Sequence, residues 1–119
     1  MNIMVFDTET ISVGKPYCYN IGYVIYDTDG KQILCKRDFV VEQVWNNRPL
    51  FDTAYYADKR PIYVSRMRGR QTEMSKYGFI QAQMIRDIRN YKVDGAYAFN
   101  SKFDDGVFEF NADRYGCRN

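Results

Sequence analysis

The chain of 119 residues is sized for one domain with a modest core. Hydrophobic residues at 45% and charged residues at 27% exclude wholesale disorder, a collagen-like repeat and a disulfide scaffold, and no apolar run nears the roughly 20 residues of a membrane-spanning helix. The net charge of +2 hides an uneven spread: from Lys59 to Lys92 nine Lys/Arg face only Glu73 and Asp87, a net of +7 that leaves −5 elsewhere. That asymmetry suits a polyanion-binding surface beside an acidic site, and equally a solvated basic helix and loop. Histidine is absent, which excludes His-based triads, His-ligated zinc and a histidine general base. Cys18, Cys35 and Cys117 are odd in number and lack CxxC spacing, so reduced thiols of a cytoplasmic protein are expected. The start, Met1 to Asp7, has no basic stretch and does not read as a signal peptide. Aromatic residues at 17% point to large core rings or to base stacking.

The elements follow in chain order. Ile3, Met4, Val5 and Phe6 form a short apolar run fit for a buried strand. Tyr17 to Asp27 and Lys31 to Val41 read as two further strands joined in a hairpin through Asp29-Gly30, with Gly30 suited to a positive φ. A helix is expected around Val44 to Tyr56, interrupted near Pro49, and the Arg-rich stretch from Pro61 to Arg70 reads as loop. Thr72 or Ser75 would cap a helix running to Tyr91, with Ile80, Met84 and Ile88 on one stripe. Asp94-Gly95 is a turn, Ala96 to Phe99 a fourth strand, and Asp104 opens a last helix ending near Tyr115 and Gly116. The order β-β-β-α-β-α predicts an α/β fold around a mixed sheet.

Two constellations carry candidate chemistry. In Phe6-Asp7-Thr8-Glu9-Thr10, the i and i+2 positions of a strand put Asp7 and Glu9 on one face. Two close carboxylates repel, and a hard divalent cation such as Mg²⁺ or Mn²⁺ removes that cost. In Asn100-Ser101-Lys102-Phe103-Asp104, an Asp follows an aromatic residue at a strand–loop–helix junction. Alone it would be a helix cap.

Together the two motifs resemble the DEDD superfamily of 3′–5′ exonucleases, of the DnaQ-like proofreading type with a ribonuclease H-like fold. The first motif matches Phe6 to Thr10, the second Asn100 to Asp104, and the hairpin between them also suits the family. The resemblance implies a sheet ordered 3-2-1-4 with flanking helices. It implies Asp7, Glu9 and Asp104 as catalytic metal ligands to two divalent ions about 4 Å apart, releasing nucleoside 5′-monophosphates from single-stranded DNA or RNA. Thr8, Thr10, Ile11, Asn100 and Phe103 would hold the terminal nucleotide, with Ile11 as an apolar wedge. Arg66, Arg68, Arg70 and Lys76 are candidates for the strand's phosphates.

The family's third motif, an Asp preceded by His or Tyr, has no counterpart in the fifteen residues after Asp104. The expectation is one exonuclease-like domain over residues 1–119, incomplete at its C-terminus and weak or inactive in this form. A DNA polymerase partner, a homodimer through the bare edge of the fourth strand, and a bacterial or bacteriophage source fit the resemblance; a membrane partner does not. The rival is a non-catalytic nucleic-acid- or polymerase-binding module on the same scaffold.

Overall fold

Strands β1 (Asn2–Ser12), β2 (Lys15–Asp27) and β3 (Gln32–Val41) form an antiparallel meander. The computed structural model describes residues 1–12, 14–98 and 101–115, the stretch 101–105 as backbone only. Short helices α1 (Glu42–Trp45) and α2 (Arg48–Phe51), a 3-10 turn (Ala57–Lys59) and α3 (Arg60–Arg68) lead to β4 (Glu73–Ser75), α4 (Tyr77–Asn90), β5 (Gly95–Ala98) and α5 (Ser101–Tyr115). The sheet is mixed: β5 lies parallel to β1, and β4 parallel to β3. Its order is β4-β3-β2-β1-β5, five strands where four were expected in the order 3-2-1-4: β5 takes the place of the expected fourth strand beside β1, and β4 adds a strand beside β3. The unforeseen strand, Glu73–Ser75, is three residues long, too short for an alternating pattern to show. No helix among the described residues is long and apolar enough to cross a membrane.

Alternation along the strands separates two faces. Met4, Phe6, Ile21, Tyr23, Ile25 and Phe39 are buried on the inner face, under α4 and α5. Phe6 meets Phe108 of α5 with ring centroids 5.3 Å apart. On the outer face only one end is covered. Tyr19 packs edge-on against Phe51 and Tyr63, and Trp45 against the same two rings, so α1 to α3 cap the end of β1 that carries Ile11. The Arg60 guanidinium lies 3.9 Å from the Trp45 ring centroid and donates to the Trp45 carbonyl, closing that cap from outside. The other end of the outer face exposes Val5, Ile33 and Tyr97.

Several local expectations are corrected. The single helix around Val44 to Tyr56 is two short ones, with Asn47 accepting from the Leu50 N–H and Pro49 at the start of the second. The segment from Pro61, expected as loop, is helical through Arg68; only Tyr63 of its residues is buried, so no apolar stripe marks it. Neither Thr72 nor Ser75 caps α4. Its first N–H, at Tyr77, donates to Gln43 Oε1 of α1 at 3.0 Å, a cap supplied by another element. The buried line of α4 is Tyr77, Ile80 and Asp87, while Ile88 is exposed. In the β2–β3 turn the left-handed residue is Lys31, at φ 53°, and not Gly30. The last helix begins at Ser101, three residues before the expected start; Gly116, its expected stop, lies outside the described residues. Cys18 and Cys35 are buried; Cys117 lies outside the described residues.

Two buried polar networks fasten the inner layer. Asn111 of α5, fully buried, accepts from the Cys18 N–H at 3.0 Å and donates to the Pro16 and Val107 carbonyls at 2.7 and 2.8 Å. Asp87 of α4 accepts from Arg37, from the Tyr23 hydroxyl at 2.7 Å and from Gln83 at 3.0 Å. Burial pushes the Asp87 carboxyl up, but the hydrogen bonds from Arg37, Tyr23 and Gln83 together outweigh it and hold it below its ordinary value. A depressed carboxyl stabilises the fold above its unfolded pKa of about 4, and that contribution fades as pH falls below it. Asn111→Ala strands a buried N–H and carbonyl and should cost about 2–3 kcal/mol in urea unfolding at neutral pH. Asp87→Ala should cost about 2–4 kcal/mol there, with the gap to wild type shrinking near pH 3. A cost below about 0.5 kcal/mol in either variant, the scale of a neutral surface change, would show that its network is not formed.

Candidate functional site

Asp7 and Glu9 point from the outer face of β1, between its bare and its capped end. Exposure along that face falls from Val5 (46%) through exposed Asp7 and half-buried Glu9 to Ile11 (0%). The carboxylates therefore stand where the helical cap stops. The cause is a bulge. Glu9 pairs with Asn20 but Thr10 pairs with Cys18, so Tyr19 is an extra residue on β2. Its ring joins the α1–α3 cap beside Glu9.

Across the strands, Asp7 lies opposite Gly22, and Gly22 opposite Asp38. A Cβ at Gly22 would stand 2.7 Å from Asp38 Oδ2, so the Asp38 carboxylate leans over the glycine into space that any side chain would fill. Asn20 holds it there, donating to Asp38 Oδ1 at 2.9 Å and to the Phe39 carbonyl at 2.9 Å. Asp7, Gly22 and Asp38 line a shallow cleft of about 250 Å³. Sequence reasoning missed Asp38, because the register that brings it opposite Gly22 depends on a second bulge near Leu34.

The Glu9 carboxylate acts electrostatically on two hydroxyls of the capped side. Burial, then the Glu9 carboxylate, pushes the Tyr63 hydroxyl above its ordinary value. Burial raises Tyr19 as well, reinforced by Tyr63 and Glu9. A phenol held protonated is a hydrogen-bond donor, not a base. Tyr63 was also absent from the sequence-based site, being hidden in the stretch read as loop.

Thr8, Glu9, Thr10, Ile11 and Ser12 border a second cleft of about 460 Å³, closed on its other side by Tyr55 and Tyr56. Thr8 is nearly buried, and the Thr10 hydroxyl donates to the Ser12 carbonyl at 3.3 Å. Ile11, the expected wedge, is fully buried, and its carbonyl accepts from the Tyr55 N–H at 3.0 Å. Asp104 and Phe103 lie in the first turn of α5, their side chains outside the described residues, as is the whole of Asn100. The final β1–β5 pair sets Ala98 beside Phe6, the residue that precedes Asp7.

The donor chemistry fits a hard divalent cation, since Asp7 and Glu9 offer carboxylate oxygens. Among the described residues no three His, Cys, Asp or Glu side chains form a metal-holding group. The basic residues Arg66, Arg68, Arg70 and Lys76 are exposed. Arg66 lies 5.5 Å from the Tyr63 ring centroid, Arg68 borders a cleft of about 560 Å³ with Arg48 and Arg60, Arg70 adjoins Lys36 and Asp38, and Lys76 heads α4.

A raised phenol stabilises the fold below its unfolded pKa of about 10, and that contribution disappears as pH climbs through the folded value. Ultraviolet phenolate absorbance should therefore show tyrosines that ionise only as the fold is lost, one fewer in Tyr63→Phe. All eleven tyrosines titrating together near pH 10 would contradict the burial of Tyr19 and Tyr63. No family model, curated protein or solved structure matches the chain.

Proposed function

We propose that the chain encodes a metal-dependent 3′–5′ exonuclease on a ribonuclease H-like scaffold, acting on single-stranded DNA or RNA ends. The observation that carries this reading is the placement of Asp7 and Glu9 on one solvent-facing side of β1, at the border of the helical cap. β1 is flanked by β2 and β5, and β5 leads directly toward the helix that bears Asp104.

In this reading Asp7 and Glu9 hold Mg²⁺ or Mn²⁺, joined by Asp104 on the resemblance of its motif. The metal supplies charge neutralisation at the phosphodiester and a water of lowered pKa. The chain's own residues bind and orient. The cleft beside Thr8 to Ser12 receives the terminal nucleotide. Tyr63, kept protonated, adds a donor to the wall facing Glu9. Arg66, Arg68, Arg70 and Lys76 attract phosphates and make affinity fall as salt rises.

Incubation of the chain with a 5′-labelled single-stranded oligonucleotide and Mn²⁺ tests this directly. The expected result is a weak ladder shortening from the 3′ end, absent in Asp7→Ala. Intact oligonucleotide in both reactions, with the strand still bound, would favour the non-catalytic nucleic-acid- or polymerase-binding module instead.

A further inference from the structure

Tyr55 is an unusual residue for a folded surface. The residue is 80% exposed, and its neighbour Tyr56 is 42% exposed. Water contact over a large ring has a cost that burial would relieve. The segment is not loose. The Tyr55 N–H donates to the Ile11 carbonyl at 3.0 Å, which ties it to the end of β1, and the Ala57 N–H donates to the Ala54 carbonyl at 3.1 Å. The two rings are perpendicular, with centroids 4.8 Å apart, so Tyr56 packs against Tyr55. Lys59 Nζ sits 4.2 Å from the Tyr56 ring centroid, covering one ring and placing a cation beside the pair. Both rings close the 460 Å³ cleft whose other wall contains Glu9.

A half-open cleft with two tyrosines on one side, residues Thr8 to Ser12 on the other and a lysine over the Tyr56 ring fits a planar ring joined to an anion. We infer that Tyr55, steadied by Tyr56, is a stacking platform for a nucleobase of a single strand, with Lys59 near its phosphate. This inference rests on the exonuclease reading for the identity of the strand. It adds the residues that would hold a base in place while the backbone lies toward Asp7 and Glu9. Stacking on an aromatic face is tolerant of base identity, so the platform would bind without sequence preference.

The test is binding without cleavage. A 5′-fluorescein oligo-dT is titrated with the full chain in EDTA at low salt, read by anisotropy. In parallel, an oligonucleotide with 2-aminopurine at its 3′ end reports stacking by fluorescence quenching. Tyr55→Ala should weaken binding about 5- to 100-fold and abolish the quenching, whereas Tyr55→Phe keeps both near wild type. Because Tyr55 is exposed, the Ala variant should unfold at the same urea concentration as wild type, which separates lost contact from lost fold. Equal binding and quenching by wild type and Tyr55→Ala would overturn the platform while leaving the exonuclease reading intact. Absence of any binding by wild type would overturn it as well. Tyr55-dependent binding in a protein that never shortens the labelled strand would uphold the platform and refute the exonuclease reading.

Discussion

The extra residue at Tyr19 is the constraint on which the rest of the structure turns. A regular β1–β2 ladder would put Tyr19 on the inner face, beneath α5. The bulge swings it outward, where Phe51 and Tyr63 close on it and the short helices gain their anchor. The same slip leaves the Cys18 N–H to Asn111, so α5 is fastened at the point where the opposite layer is seeded. One local irregularity thus fixes both helical layers and sets the cap's border beside Glu9. Bulges re-aim side chains in this way because one additional residue inverts every face beyond it.

Much of the frame could be read from sequence. The first three strands and the hairpin at Asp29-Gly30 follow from apolar runs and turn chemistry. So does the mixed α/β class. The strand after Asp94, and the helix beyond it, were legible for the same reason. What could not be read depends on non-local partners. α4 takes its cap from Gln43, so no capping residue marks its start. Asp87 replaces an apolar residue in the buried line of α4 because Arg37 and Tyr23 satisfy it. α3 has almost no buried face, so its Arg-rich sequence resembles a loop.

The candidate site divides along the same line. Asp7 and Glu9 were visible because strand alternation alone puts them together. Asp38 was not. Counting back from the turn pair Asp27–Gln32 in a regular ladder places Arg37 opposite Gly22, and only the shift after Ile25 substitutes Asp38. That one-residue difference decides whether Asp7 faces a cation or another carboxylate across the glycine. It also sends Arg37 inward to Asp87. A single bulge therefore allocates the charges of β3 between the two faces.

This allocation is hard to explain by stability. Arg37 compensates a buried carboxylate, where leaving a charge unpaired would cost most. On the outer face Asp7 forms no salt bridge among the described residues, and Asp38 is held by an amide that carries no charge. A sheet row selected only for cohesion would put a threonine at Gly22, opposite Asp7, and a cation rather than a carboxylate at Asp38 beyond it. Instead the row has a glycine, two like charges and an open cleft. Departures from local consistency concentrate where a protein binds or reacts, since cohesion elsewhere can absorb their cost. The inner face of this sheet, with its satisfied networks, is where that cohesion lies. In the proposed reading the outer face presents carboxylates to a cation and, next to them, an aromatic ring to a base.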